Sequence, residues 1–386
     1  MRESRKSTLG KIAAIVAIIA VQALVINYLG GNNYLPEGSE HWTEDWLIHY
    51  FSPRFDKPHK AVAIVTVDPE SLEKAGLPSM PPADRAWMAK LVTAVSNAGA
   101  LAIGVDFYFT TPTKPEKDEA LVKAIRNSKA PVVIAAVSER YLQTEGQRKF
   151  LAEFIQRTGG RAGHIGFKRA KEIFSLGDRA DRAVYHDDPE QPYPSLSATL
   201  TMLPEVRAAL GSHKIPEGQQ RVDWLLDPTG DNQPFLRYSA YEILSPEVGA
   251  PAPDLKGKIV LIGPDFAALD QHTLPFTVGK EKLTFFPGVT IHAQAVAQIL
   301  DGRFFRNWSS GEQFLLLFCV GLLGAAAGWP LHEFRADFLL GIAGSLLIIG
   351  LSVPFFMVRM PFPTALAIIA WGASIWTGQQ IQGWRK

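Results

Sequence analysis

The chain has 386 residues, of which 47% are hydrophobic and 20% are charged. This composition suits neither a disordered chain nor a pure membrane bundle, and it indicates a protein with both membrane and water-soluble parts. Lys and Arg (39) nearly balance Asp and Glu (38), so no charge excess predicts binding to nucleic acid or another polyanion. The single cysteine, Cys319, excludes an intrachain disulfide.

The first apolar segment, residues 12–30, is long enough to cross about 30 Å of hydrocarbon. Basic residues are frequent in residues 1–11, so we expect this amino terminus to stay in the cytoplasm and the following chain to be exported. A cleavable signal peptide is the alternative. The long apolar core and the absence of a small-residue cleavage site favour an uncleaved anchor.

Residues 31–309 form one block in which strand and helix patterns alternate. Buried strands are predicted at VAIVTV, LAIGVDFYF, PVVIAAV and KGKIVLIGPD, and amphipathic helices lie between them. Such alternation predicts parallel strand pairing, with helices covering both faces of the sheet. Between about 160 and 240 the pattern is weaker: GHIGF, RAVYH and PFLRY are candidate strands, some of them antiparallel additions, and SLSATLTMLPEVRAAL is a candidate helix.

The last helix of this block is predicted in TIHAQAVAQILDG, which ends at Gly302. Val289, Ala293, Val296 and Leu300 recur at helical spacing and should press on the sheet. The same spacing predicts that Gln294, Gln298 and Asp301 face outward.

Three further apolar segments follow, at residues 313–331, 338–358 and 361–378, with a short tail at 379–386. Their short polar connections favour an up-and-down bundle that returns the carboxyl terminus to the cytoplasm. Small residues between Gly321 and Gly328 indicate close helix packing within the chain or, as an alternative, a dimerisation surface. The predicted architecture is an extracytoplasmic α/β domain, with a mostly parallel sheet and helices on both faces, plus a four-helix transmembrane region.

Candidate ligand-binding residues lie where predicted strands end. Asp68, Asp106 and Asp265 follow three of these strands, and the carboxyl edge of an open α/β sheet is where ligands bind. Three carboxylates there could hold a cation or a cationic small molecule. The alternative is that Asp68 caps a helix and the other two accept hydrogen bonds from loop amides.

Two more residues complete the candidate ligand site. His292 lies early in the last helix of the exported block, and Gly263 follows the strand IVLI. Their structural alternatives are a hydrogen-bonded, half-buried histidine and a tight strand-to-loop turn. The sequence contains no zinc-binding spacing, phosphate-binding loop or nucleophile motif, so we expect no metal, no cofactor and no catalytic residue.

The exported block resembles the second type of CHASE domain, the cyclase- and histidine-kinase-associated sensory extracellular domain. The resemblance covers about residues 35–309 and rests on several segments in the right order. These are VAIVTVDPESLEKAGLP, NAGALAIGVDFYF, DEALVKAI, GHIGF, YPSLSATL, DLKGKIVLIGPDFAALDQHTLPF and FPGVTIHAQAVAQILDGRFFR.

This resemblance implies a sensory input domain in a bacterial membrane protein, and three membrane helices after the domain are the usual arrangement. Members commonly continue into a kinase or a cyclase, whereas only a short tail follows the last predicted span here. We therefore expect a non-enzymatic sensor that signals through a separate membrane or cytoplasmic protein.

Two other functions remain as alternatives. One is an accessory subunit of an envelope complex, and the other is an extracytoplasmic enzyme, for which no catalytic arrangement is visible. The expected location is the bacterial inner membrane, with the bilayer and a signalling or envelope protein as partners. Self-association is a further expectation, and binding to nucleic acid is not expected.

Overall fold

The computed structural model describes most of the chain, and two compact units contain the described residues. The sheet unit runs from Ser52 to Phe304, and the membrane unit comprises the chain up to Phe51 and from Phe305 onward. The sheet unit therefore begins later than the predicted block at 31–309. The described residues are 2–31, 39–78, 84–137, 142–170, 179–183, 193–216, 221–226, 234–246, 249, 251–267, 270–273, 285–330 and 334–383.

Ten strands are present in the described chain. They are β1 (Val62–Val67), β2 (Ala102–Val105), β3 (Val132–Ala136), β4 (Ala162–His164), β5 (Phe167–Ala170), β6 (Arg179–Ala183), β7 (Leu236–Ser239), β8 (Ile259–Pro264), β9 (Gln271–Thr273) and β10 (Phe285–Pro287).

The helices of the sheet unit connect and cover these strands. They are α3 (Pro69–Lys74), α4 (Arg85–Asn97), α5 (Pro115–Arg126), α6 (Glu145–Arg157), α7 (Leu196–Met202), α8 (Pro204–Leu210), α9 (Ala240–Leu244) and α10 (Gly288–Asp301). The membrane unit holds α1 (Arg2–Gly31), α2 (Ser39–Phe51), α11 (Ser310–Gly328), α12 (Phe334–Met357) and α13 (Thr364–Gly383).

Six strands form one parallel sheet in the order β4-β3-β2-β8-β1-β7. The last strand in sequence, β8, lies between β1 and β2, so the carboxyl ends of these three strands are neighbours. The predicted parallel sheet is confirmed. Two strands from the weakly patterned middle, β4 and β7, join it as parallel strands at its two edges, where antiparallel additions had been one expectation.

Two hydrophobic cores lie on opposite faces of this sheet. Val65, Ile103 and Ile134 contribute to the core that α4, α5 and α6 cover. Ile64, Val133 and Leu261 contribute to the core that α7, α8 and α10 cover. Adjacent strand residues point to opposite faces, so continuous apolar strands bury both sides of the sheet. The expectation of helices on both faces is confirmed.

A second, four-stranded sheet has the order β10-β9-β6-β5. The strands β5 and β6 pair antiparallel, as do β9 and β10. The segments GHIGF and RAVYH contribute to β5 and β6, so antiparallel pairing in the middle of the chain occurs in this separate sheet.

Helix α10 is buried from Gly288 to Ile299 because it is covered on two sides. The sheet core lies on one side. On another side, an extended segment, residues 221–225, forms hydrogen bonds with Gln294 and Gln298, one helical turn apart. Gln294 accepts from Leu225 N at 2.9 Å and donates to Leu225 O at 2.8 Å, while Gln298 accepts from Asp223 N at 3.0 Å and donates to Arg221 O at 2.8 Å.

The prediction that Gln294 and Gln298 face outward was therefore wrong, because both side chains are 0% exposed. Helical periodicity identified the face of α10 that meets the sheet. It could not show that a remote extended segment supplies the polar partners on another face. The paired amide bonds satisfy the buried backbone of that segment in the way a strand partner would.

Three described helices are long and apolar enough to cross a membrane: Ile12–Gly30, Ser310–Gly328 and Arg335–Met357. These match three of the four predicted spans. The fourth predicted span, residues 361–378, falls mainly in α13, which is helical but does not meet the same standard of length and composition.

Contacts within the membrane unit place α13 beside α1. Gln22 of α1 donates a hydrogen bond to Thr377 Oγ1 at 2.8 Å, and Gly30 approaches Leu366. As the residue number rises along α1 it falls along α13, so the two helices are antiparallel. Polar contacts between helices at this depth are characteristic of membrane bundles.

Helix α11 also packs antiparallel to α1 and fits closely against α13. Asn27 of α1 bonds the carbonyl of Ser310, and Gly321 approaches Ile19. The glycines at 324 and 328 lie against the backbone carbonyls of Trp371 and Ile375, respectively. Intrachain packing, one of the two interpretations of these small residues, is thus what the structure shows for Gly321, Gly324 and Gly328.

Candidate functional site

The carboxyl edge of the parallel sheet brings three predicted aspartates to neighbouring strand ends. Asp68 follows β1, Asp106 follows β2 and Asp265 follows β8. At two of these positions the backbone hydrogen bonds between strands continue past the strand end. Asp106 N donates to Ile262 O at 2.8 Å, and Asp265 N donates to Val67 O at 2.9 Å. The three side chains nevertheless have different partners.

Asp68 caps helix α3. Its carboxylate accepts a hydrogen bond from Ser71 N at 2.7 Å, and Pro69 occupies the first turn. A carboxylate at this position satisfies one of the unpaired amides of the helix and interacts favourably with the helix dipole. The helix-cap interpretation of Asp68 is confirmed.

Asp265 lies in an exposed polar group at the same edge. Its carboxylate forms an ion pair with Arg237 and accepts a hydrogen bond from Gln271 Nε2 at 3.1 Å. An exposed ion pair of this kind contributes little to stability, about 0 to 1 kcal/mol. The partners of the Asp265 side chain are therefore other side chains, and the sequence interpretation that it accepts from a loop amide does not describe these contacts.

Gly263 is required by close packing between β8 and α10. A Cβ atom at this position would lie 2.5 Å from the Cβ of Val289. Only glycine allows the helix to approach the strand so closely. Glycines at 104 and 163 have the same role opposite Leu200 and Leu196 of α7, so the two helices on this face lie near the backbone of the sheet.

Asp106 and His292 form a buried pair between the sheet and α10. Asp106 is 4% exposed and His292 is 2% exposed, and Asp106 Oδ2 lies 3.9 Å from His292 Nε2. That distance is too long for a hydrogen bond. Within the described residues, Asp106 Oδ2 has no hydrogen-bond partner, which costs about 1 to 3 kcal/mol for a buried polar atom.

Burial and neighbouring charges favour the neutral form of both members of this pair. Burial, assisted by the nearby carboxylate of Asp270, raises the pKa of Asp106 well above its usual value of 3.8. Burial also lowers the pKa of His292 to about 3, and the nearby His164 and His272 act in the same direction. Both shifts favour a carboxylic acid beside a neutral imidazole over an ion pair.

Three further residues surround this pair and were not among the predicted site residues. His164 ends β4, while Asp270 and His272 flank the start of β9. The carboxylate of Asp270 accepts a hydrogen bond from His272 Nε2 at 2.9 Å and lies against the first residue of α10, Gly288. The segment DFAALDQHTLPF carries both residues, but its sequence has no periodic pattern that predicts where their side chains lie.

The site offers no evident metal centre. Within the described ranges, no group of three or more His, Cys, Asp or Glu side chains could hold a metal ion. A cavity of about 320 Å³ lies elsewhere on the sheet unit, beside the starts of α4 and α5. The described residues that line it are Leu72, Leu77, Pro78, Asp84, Arg85, Thr113, Lys114 and Lys117, none of which is a predicted site residue.

Comparison with family models assigns this chain to a family. The model of the CHASE2 domain matches residues 14–326. The chain belongs to the CHASE2 family. CHASE2 domains are sensory extracellular domains, and the match extends from the first apolar helix through most of α11.

Neither the curated proteins nor the solved structures contain a significant match to this CHASE2 protein. The family assignment and three apolar helices indicate a membrane protein with a sensory domain. They do not identify a ligand.

Proposed function

We propose that this CHASE2 protein is an extracytoplasmic sensory input protein, which couples binding outside the membrane to a separate signalling partner. The supporting observation is the burial of α10. This helix is enclosed along residues 288–299, and residues 302–309 alone connect it to the membrane helix α11. A helix so tightly enclosed moves only if its surroundings move, and it therefore reports changes in the sheet unit.

The buried polar contacts of α10 support a role in transmission. Gln294 and Gln298 each form two hydrogen bonds with residues 221–225, and Arg303 forms an ion pair with Asp223 at 3.2 Å. Such contacts have defined partners, so displacement of the helix breaks them in discrete steps. Interfaces of this kind support two-state changes better than gradual deformation.

We further propose that the protein is not an enzyme. The Asp106–His292 pair is the candidate acid–base pair at the sheet edge, and both side chains are buried. The hydroxyl of Ser197 donates to the backbone carbonyl of His292 at 3.3 Å rather than to its ring. General acid–base catalysis needs contact with a substrate, which burial opposes.

The proposed location is the bacterial inner membrane, with both termini in the cytoplasm. The supporting observation is that α11 and α13 each run antiparallel to α1, which places the start of α1 and the end of α13 at the same end of the bundle. In this arrangement α13 is a fourth membrane span.

The first test is mild detergent extraction of the tagged protein from native membranes, followed by mass spectrometry of stoichiometric partners. A co-purifying kinase or cyclase supports sensing through a separate protein. An envelope assembly without a signalling enzyme makes this protein an accessory subunit and contradicts the proposal.

A second arm tests coupling through α10. Replacing Gln294 by Leu removes its two bonds to Leu225 and should change the activity of the co-purified enzyme. The matched control is Gln156→Leu on the exposed face of α6, which should leave that activity unchanged. Equal activity in the two variants would argue against transmission through α10.

A further inference from the structure

Five titratable side chains from separate parts of the fold lie at the carboxyl edge of the sheet; four of them are buried, and Asp270 is exposed. Asp106 follows β2, His164 ends β4, Asp270 and His272 belong to the β9 region, and His292 lies on α10. His164 and His272 are close enough to affect the charge of His292, and Asp270 is close enough to affect that of Asp106. We name these five residues the Asp106 cluster.

Among the described residues, the other elements packed against α10 add no ionisable side chain near this cluster. The strands β1, β8 and β10 and the helix α7 contribute no ionisable side chain in their described residues. The segment at 221–225 contributes Arg221 and Asp223 beside Gln298, toward the other end of α10. At the sheet edge, Asp265 is paired with Arg237.

Proton counting shows how the Asp106–His292 pair responds to pH. At any pH below the raised pKa of Asp106 and above that of His292, the buried pair holds one proton, on Asp106; burial and Asp270 raise the pKa of this carboxyl. With ordinary pKa values of 3.8 and 6.5, an opened, hydrated state also holds one proton between these limits, on His292. The two states therefore bind equal numbers of protons in this range.

Above the ordinary histidine value of 6.5 the proton numbers differ. The opened state then holds no proton, whereas the buried state keeps one until the pH reaches the raised pKa of Asp106. A group with a raised pKa stabilises the folded state at low pH and loses that contribution as the pH rises. Each pH unit in this window favours opening by about tenfold.

We propose that the Asp106–His292 pair is a proton-binding site whose deprotonation at alkaline pH releases the first turns of α10 from the sheet. The inference rests on the proposed sensory function, for which it supplies the input. His292 lies on the second turn of α10, and the carboxylate of Asp270 lies at its first residue. An ionised Asp106 would be a buried negative charge near the partly exposed carboxylate of Asp270, and water entry relieves both the burial cost and the repulsion.

The test is hydrogen–deuterium exchange of the full chain in lipid nanodiscs between about pH 6 and about pH 9. Rates for peptides covering residues 285–300 are corrected for the intrinsic effect of pH. In the wild type, protection should fall by up to about tenfold per pH unit above about pH 6.5. Asp106→Asn should remove this dependence, while Asp265→Asn, which changes an exposed carboxylate at the same edge, should retain it.

A second variant and a spectroscopic signature keep the test decisive if Asp106→Asn folds poorly. His292→Gln keeps the carboxyl group, and its alkaline opening should begin below about pH 6.5 because the opened state no longer gains a proton there. The infrared carbonyl band of a protonated carboxylic acid should disappear from the wild type as the pH rises. A band that persists in Asp106→Asn, or identical exchange profiles for Asp106→Asn and wild type, would overturn the proposal.

The exchange experiment is independent of the search for a signalling partner. A co-purifying kinase together with pH-independent exchange would leave the sensor with a different input. A pH-dependent α10 without any signalling enzyme would remove the sensory function and leave the proton site in place.

Discussion

The three aspartates at the carboxyl edge of the sheet have different roles. Asp68 caps α3, Asp265 pairs with Arg237, and Asp106 is buried beside His292. The difference arises from what lies above each strand end. Asp68 faces the amides of its own helix and Asp265 faces solvent, whereas α10 covers Asp106 and excludes water from it.

The buried pair predicts opposite acid responses for two single variants. His292 has a lowered pKa, so its contribution to stability is present above 6.5 and lost as the pH falls toward 3, by up to about 5 kcal/mol. Asp106 has a raised pKa, so its contribution to stability increases as the pH falls. Burial is the largest cause of both shifts, so each effect should survive removal of its partner.

We therefore expect Asp106→Asn to become less stable as the pH is lowered from about 6.5 to about 4, and His292→Gln to become more stable over the same range. Thermal unfolding of the sheet unit, followed by circular dichroism of the full chain in detergent, measures both. The wild type should change least, because the two contributions oppose each other. Parallel pH profiles for the two variants would contradict the assigned protonation states.

At the scale of elements, α10 joins two kinds of contact in one helix. Its apolar residues bury the sheet face, and its two glutamines replace a strand partner for residues 221–225. This explains why a helix with glutamines at regular spacing is buried from Gly288 to Ile299. The carboxyl end of α10 is well defined, because Gly302 ends the helix in the left-handed conformation with a φ of 67°.

Replacing Gln298 by Leu should lower the free energy of unfolding by about 2 to 4 kcal/mol. The substitution leaves the amide of Asp223 and the carbonyl of Arg221 without their side-chain partner. Denaturant titration of the full chain measures the change. The control Gln156→Leu, on an exposed helix surface, should differ from the wild type by less than about 0.5 kcal/mol; similar losses in both variants would show that the buried bonds contribute nothing specific.

The pairing of α11 and α13 predicts a position-specific effect of side-chain size. Gly378 lies against the carbonyl of Ala325, whereas a Cβ at Gly372 would meet no atom within 4 Å. Gly378→Val should destabilise the bundle by about 1 to 3 kcal/mol because it separates the two helices. Gly372→Val on the same helix is the matched control, and thermal stability in detergent distinguishes them; equal loss would mean that helix propensity, not packing, controls both.

At the scale of the whole molecule, membrane topology follows from the directions of the helices. Helices α11 and α13 run opposite to α1, so the two termini are expected on one side of the membrane. With Cys319 replaced by Ala, single cysteines at Ser7 and Gly383 should react with a membrane-impermeant maleimide only after the cytoplasmic side is exposed. A cysteine at Lys129 in the sheet unit should react from outside. Labelling of Gly383→Cys from outside would show that α13 does not cross.

The sequence by itself determined the class of fold and located the three helices that are long and apolar enough to cross a membrane. Short β-branched runs, such as VAIVTV, predict buried strands, and apolar residues at helical spacing predict α4 and α5. Both patterns depend only on the order of the residues. The carboxyl ends of β1, β2 and β8 were likewise predictable as an edge rich in acidic residues. The sequence identified Gly263, after IVLI, as a candidate site residue, but it did not show that Val289 packs against it.

Only the tertiary structure decided which of these residues share an environment. Asp106 and His292 are 186 positions apart (292 − 106) and meet because β8 inserts beside β2 and α10 crosses their face. The burial of Gln294 and Gln298 depends on residues 221–225, which have no strong periodicity of their own. Periodicity describes how one element divides between core and solvent, whereas protonation, ion pairing and polar burial depend on which remote elements exclude water from each side chain.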